Sequence, residues 1–123
     1  MLHAVPSERA GRADGVVMDT LKFFSDPERA DAIAVYRDKS LDSAKAKKIT
    51  LFAEGMLGRP FDEKFDLSEQ NKLYCTELVW AAYRSQGISL ISSPDILHVP
   101  FLGEKFILPH TLLSSRLLSP VIF

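Results

Sequence analysis

The residues in this sequence that could do chemistry converge on one sulfur. Cys75 is the sole cysteine among 123 residues and stands in the run Leu73-Tyr74-Cys75-Thr76-Glu77-Leu78-Val79-Trp80-Ala81-Ala82-Tyr83. Apolar residues follow it at Leu78, Val79, Ala82 and Tyr83, three, four, seven and eight positions on, which is the spacing of one face of an amphipathic helix. This spacing predicts a helix with the thiol on its inward face, in the first turn. Unpaired backbone N–H groups at a helix N-terminus favour the nucleophilic thiolate, and the same groups can bind a developing oxyanion. The chemistry would be attack on an acyl carbon. The position equally suits a small buried hydrophobe without chemistry, and periodicity alone leaves both readings open.

A thiol nucleophile needs a base within hydrogen-bonding reach and a third polar group to orient that base. Of the three histidines, His3 lies in a short apolar strand, where a terminal strand without a neighbour would hold its imidazole loosely. His98 sits in a proline-bounded segment and His110 follows Pro109 at a helix start, so both read as surface or capping residues. Glu77, two residues after the cysteine, suits a helix first turn. Asp62, Glu63, Asp66 and Glu69 crowd the preceding loop without the spacing of a calcium-binding loop. They read as solvated charge. No metal or cofactor is expected, and a single cysteine excludes both an internal disulfide and a cysteine-based zinc site.

Short elements must position these groups. Met1–Val5 reads as a strand ended by Pro6, which lacks the ladder N–H. Ser7–Gly15 reads as a loop, and Gly15-Val16-Val17-Met18 as a second strand. Asp19 or Thr20 can cap a brief helix through Phe24, with Asp26-Pro27-Glu28 as a turn. Ala32–Arg37 reads as a strand of the same sheet. A long helix is expected from Leu41 to about Leu57, with Ser40 as N-cap, Ile49, Phe52, Ala53 and Met56 inward, and Lys45, Lys47 and Lys48 in solvent. Gly58 ends it. After the cysteine helix, Ile88–Ile91 reads as a strand or extended arm and Ser92–Leu108 as an irregular excursion. Leu117–Phe123 closes the chain as a buried strand. The fold class is α+β.

The run around Cys75 resembles the nucleophile motif of the permuted papain-like amidases, a branch of the NlpC-type cysteine hydrolases. Gly58-Arg59-Pro60-Phe61-Asp62 with Phe65 is similar to that family's loop before the cysteine, which implies that Asp62 helps to fix the turn. Leu108-Pro109-His110-Thr111-Leu112-Leu113-Ser114 with Leu117-Leu118 is similar to its closing segment. Leu2-His3-Ala4, Gly15-Val16-Val17 and Leu21 with Phe23-Phe24 resemble the elements before its long helix. The resemblance implies a small antiparallel sheet packed on the cysteine helix and one further long helix, with residues 1–123 a single circularly permuted domain. It implies Cys75 as nucleophile and His3 in the position of the third, orienting residue. The family's base histidine lies on an earlier strand, followed within two residues by glycine. Nothing here matches that strand, so the resemblance implies a domain incomplete at its N-terminus.

Composition bounds the rest. Hydrophobic residues make up 46% and charged residues 25%, ordinary usage for one globular core. Fifteen Lys and Arg against 16 Asp and Glu leave a net charge of −1, so no field favours polyanions and nucleic acid is not an expected partner. No stretch approaches a membrane span and no signal peptide is recognisable; localisation is left open. The resemblance implies the first of two functions, and the missing base strand supports the second. One is a thiol hydrolase or acyltransferase acting on an amide or ester of a small-molecule, peptide or lipid-linked acyl substrate. The other is a remnant or binding domain that lacks the general base. A sheet without its first strands would expose an edge, which a homodimer would cover.

Overall fold

Strands β1 (Leu2–Val5) and β2 (Gly15–Met18) pair antiparallel, with His3 opposite Val17 and Ala4 opposite Val16. In this computed structural model the residues described are 1–6, 14–67, 71–92 and 107–122. Helix α1 (Leu21–Phe24) starts where Thr20 Oγ1 accepts the Phe23 N–H at 3.1 Å. Strand β3 (Tyr36–Asp38) pairs antiparallel with the distant β4 (Leu118–Pro120) in a second two-stranded sheet. Helix α2 is Ser43–Glu54, α3 is Cys75–Arg84, and α4 is Pro109–Leu113 with proline in its first turn. The chain is therefore α+β, with short antiparallel sheets and, among the described residues, four helices. None is long and apolar enough to cross a membrane.

Helix α3 is central because it packs against α2, β1 and α4. Its Leu78 and Ala82 join Ala4, Val16, Phe61, Leu73, Tyr74, Leu90, Ile91, Ile107 and Leu112 among the buried residues. Each large apolar side chain so buried contributes about 1.5–3 kcal/mol. Helix α2 adds buried Ile49, with Phe52 and Ala53 half-buried, as is Met56 just past its end, while Lys45, Lys47 and Lys48 face solvent.

The two edges of the β1–β2 hairpin differ. On the β2 side, the Val16 N–H donates to the Arg59 carbonyl and the Gly58 N–H to the Val16 carbonyl, both at 2.9 Å. This close approach requires Gly15, which has φ +99° and where an added Cβ would stand 2.0 Å from the Arg59 oxygen. Past the strand ends, Met1 and Asp19 exchange backbone hydrogen bonds that continue the ladder between β1 and β2. Antiparallel alternation then turns the N–H and C=O groups of Leu2 and Ala4 away from β2. Among the described residues no backbone group meets them.

Several local expectations are corrected. Ala32–Arg37 does not extend the first sheet: Ile33 and Val35 are exposed, and the strand starts at Tyr36 and pairs with β4. Helix α2 is capped by Asp42, whose Oδ1 accepts the Lys45 N–H at 2.7 Å. Ser40 is instead held by Asp38 Oδ1 through its backbone N–H and its hydroxyl. Residues 88–91 form no strand, although Leu90 and Ile91 are buried. The final strand is shorter and only half-buried, with Ile122 exposed. His98 and most of the 92–108 excursion lie outside the described residues.

Candidate active site

The loop ahead of the cysteine is built from its buried carboxylate outward. Asp62 is 2% exposed, and its two oxygens accept the N–H groups of Lys64 at 2.9 Å and Asp66 at 2.6 Å. The turn so formed is fixed from inside, as expected of Asp62 in sequence. The Leu73 N–H donates to the Pro60 carbonyl at 3.0 Å and the Asp62 N–H to the Leu73 carbonyl at 3.2 Å, a short parallel bridge between Phe61 and Leu73. Phe65 meets Phe61 and Tyr74 edge-on, with ring centroids 6.1 and 5.3 Å apart. The chain thus enters α3 along a fixed line.

At the helix start both neighbours of the cysteine are buried and held. The backbone N–H of Tyr74 donates to Glu77 Oε2 at 3.3 Å, and the Glu77 carboxylate also suits the positive end of the helix. Tyr74 Oη accepts the Ile107 N–H at 3.1 Å, while Thr76 Oγ1 donates to the Ile107 carbonyl at 2.7 Å. Burial pushes the Tyr74 phenol well above its ordinary range, the Ile107 N–H opposes this, and the Glu77 and Asp62 charges add to it. The phenol therefore stays neutral and serves as an acceptor.

Cys75 sits between these two anchors, first in the helix, and it is exposed. The inward placement expected from periodicity is corrected: Leu78 and Ala82 are buried, but Val79 and Cys75 are not. Cα–Cβ bonds tilt toward a helix N-terminus, so at the first helical position the side chain has no preceding turn to lie on, whereas Thr76 and Glu77 after it are buried. The result is a solvent-facing sulfur on a backbone pinned from both sides.

His3 is not loosely held. Its Nε2 lies 2.7 Å from Asp19 Oδ2, and its ring meets Phe24 edge-on at 5.2 Å. Successive strand residues face opposite ways, and Ala4 is in the core with Leu78. His3 accordingly lines a separate recess with Val5, Phe24, Arg29 and Ile33. No hydrogen bond joins His3 to Cys75. His110 is exposed on α4. Sequence reasoning considered Asp19 only as a cap; the hairpin register, which sets Asp19 diagonally to His3, is the signal that could have found the pair. The hold of Tyr74 and Thr76 on Ile107 left no signal, because 31 and 33 residues separate the partners.

The family model for the permuted papain-like amidase enzyme, YaeF/YiiX, matches residues 9–118, Cys75 included. The chain belongs to the permuted papain-like amidase family. His3 lies outside the matched residues. The crystal structure of metalloprotein YiiX from Escherichia coli O157:H7 is similar in fold, with a TM-score of 0.60 and 20% sequence identity over 72% of this chain. The similarity spans 60% of YiiX. No curated protein matches. Among the described residues of this amidase-family chain, no three His, Cys, Asp or Glu side chains come together to hold a metal ion, and buried Asp62 spends both carboxylate oxygens on backbone N–H groups. These residues do not fit a metal centre.

Proposed function

We propose that this member of the amidase family is a thiol hydrolase or acyltransferase that works through an acyl-Cys75 intermediate. The Cys75 sulfur attacks the acyl carbon of an amide or ester, a carbon–sulfur bond forms, and the carbon–nitrogen or carbon–oxygen bond breaks as the leaving group takes up a proton. Water or another acceptor then releases the acyl group and restores the thiol. The observation that carries this reading is the exposed sulfur at the head of α3, flanked by Tyr74 and Thr76 side chains tied to one buried residue. Reactive cysteines are partly exposed, whereas structural ones are buried and inert. Substrates in this reading are small-molecule amides, peptides or lipid-linked acyl groups. His3 enters as an orienting residue rather than the base, since no hydrogen bond joins it to Cys75.

A second reading, a domain of the same fold that binds but turns over poorly, is favoured by the lack, among the described residues, of any hydrogen bond from an imidazole to Cys75. One experiment separates the two. The chain is mixed with p-nitrophenyl acyl esters and peptide amides, and adducts are followed by intact mass. The expected result is an acyl adduct on Cys75 that decays with turnover and is absent from Cys75→Ala. A stable adduct without turnover supports the second reading, and no adduct overturns the nucleophile. In His3→Ala, an acylation rate equal to that of the parent would remove His3 from the set.

A further inference from the structure

A second cavity, of about 750 Å³, lies between residues 89–92 and the α4 segment with its following turn, and its size is that of a small-molecule site. Cys75 is not among its lining residues. The floor is apolar, since Leu90 and Ile91 are 4% and 5% exposed. The rim carries Arg116 and His110, and none of the described lining residues is Asp or Glu. No hydrogen bond or ion pair engages either of these side chains among the described residues.

The hydroxyls around it are polarised in two senses. Ser89 Oγ donates to the Ile91 carbonyl at 2.8 Å and Ser114 Oγ to the His110 carbonyl at 2.9 Å, so both present lone pairs that accept from a ligand. Ser115 Oγ instead accepts the Leu117 N–H at 3.4 Å, which leaves its proton to donate. The cavity thus offers a permanent cation and donors to an anion, and acceptors to hydroxyl groups. An apolar floor beneath them suits the carbon skeleton that joins the two.

We propose that this cavity binds an anionic polyol, a hydroxyl-rich molecule or headgroup bearing one phosphate or carboxylate. The anion lies on Arg116, His110 and the Ser115 hydroxyl, and the ligand hydroxyls donate to Ser89 and Ser114. This assignment is independent of the reaction at Cys75.

The test is a ¹H–¹⁵N correlation titration of the whole chain with glucose 6-phosphate, glucuronate, glucose and inorganic phosphate. Saturable shifts confined to the amides of residues 89–92 and 110–117 are expected with the two acidic sugars. Glucose and phosphate should each bind roughly tenfold or more weakly, and Arg116→Gln should weaken acidic-sugar binding by a similar factor. Arg116 is exposed, so an unchanged thermal midpoint is expected for that variant. Co-sedimentation with phosphatidylglycerol vesicles but not phosphatidylcholine vesicles would make a lipid headgroup the source; binding of the soluble sugars alone would make it a free solute. Glucose binding as well as its phosphate, phosphate binding as well as the sugar phosphate, no effect of Arg116→Gln, or no saturable shift would each overturn the proposal.

Discussion

Thr76 Oγ1 donates to the carbonyl oxygen of Ile107 at 2.7 Å, and the N–H of that same residue donates to Tyr74 Oη. The two side chains flanking Cys75 therefore satisfy both backbone groups of a residue that is only 1% exposed. A buried backbone group left unpaired costs about 1–3 kcal/mol. Thr76→Val and Tyr74→Phe should each lose about that much stability in denaturant unfolding. In both variants iodoacetamide should alkylate Cys75 at an altered rate, because the backbone around the sulfur is released. Parent-like stability in both would mean that the hold on Ile107 contributes nothing.

Stability should fall in alkali, and the sign follows from the phenols. Burial raises Tyr74 above its ordinary value, and burial together with the Asp38 carboxylate raises Tyr83. An unfolded tyrosine loses its proton near pH 10, while the folded chain retains it, so the unfolded state binds fewer protons above that pH. The stabilisation is complete below about pH 10 and is lost as pH climbs through the raised folded values. Urea midpoints measured across this range should drop, and Tyr74→Phe with Tyr83→Phe should flatten the drop.

Gly15→Ala should be costly because it combines φ +99° with a Cβ 2.0 Å from the Arg59 carbonyl oxygen. Gly58→Ala shares a positive φ of +87° but meets nothing within 4 Å. The second substitution should cost about 1–2 kcal/mol from conformation alone, and the first clearly more. Thermal unfolding of the two variants provides the comparison; equal losses would mean that the β2–Arg59 contact yields without cost.

Among the described residues no backbone group meets the outward N–H and C=O groups of Leu2 and Ala4, an edge of the kind that other strands add to. We expect a second copy of the chain to cover it, giving a dimer whose population rises with concentration in light scattering. A monomer that persists at high concentration would reject this.

By itself the sequence determined the elements whose signals are local. Gly15–Met18, the brief helix through Phe24 that Asp19 or Thr20 could cap, proline at the start of α4 and the helix beginning at Cys75 all follow from spacing and capping within a few residues. The place of Cys75 at the head of that helix was legible for the same reason, and the motif resemblance led to a family that the match over residues 9–118 bears out. Which way the sulfur faces was decided only by tertiary structure, because periodicity describes a helix side and not its first residue. The His3–Asp19 pair, the partnering of β3 with β4 from the far end of the chain, and the hold of Tyr74 and Thr76 on Ile107 were likewise tertiary outcomes. Each joins groups 16 or more residues apart. At such separations no local propensity encodes a partner; the burial of a polar group, which must be matched once water is excluded, selects it.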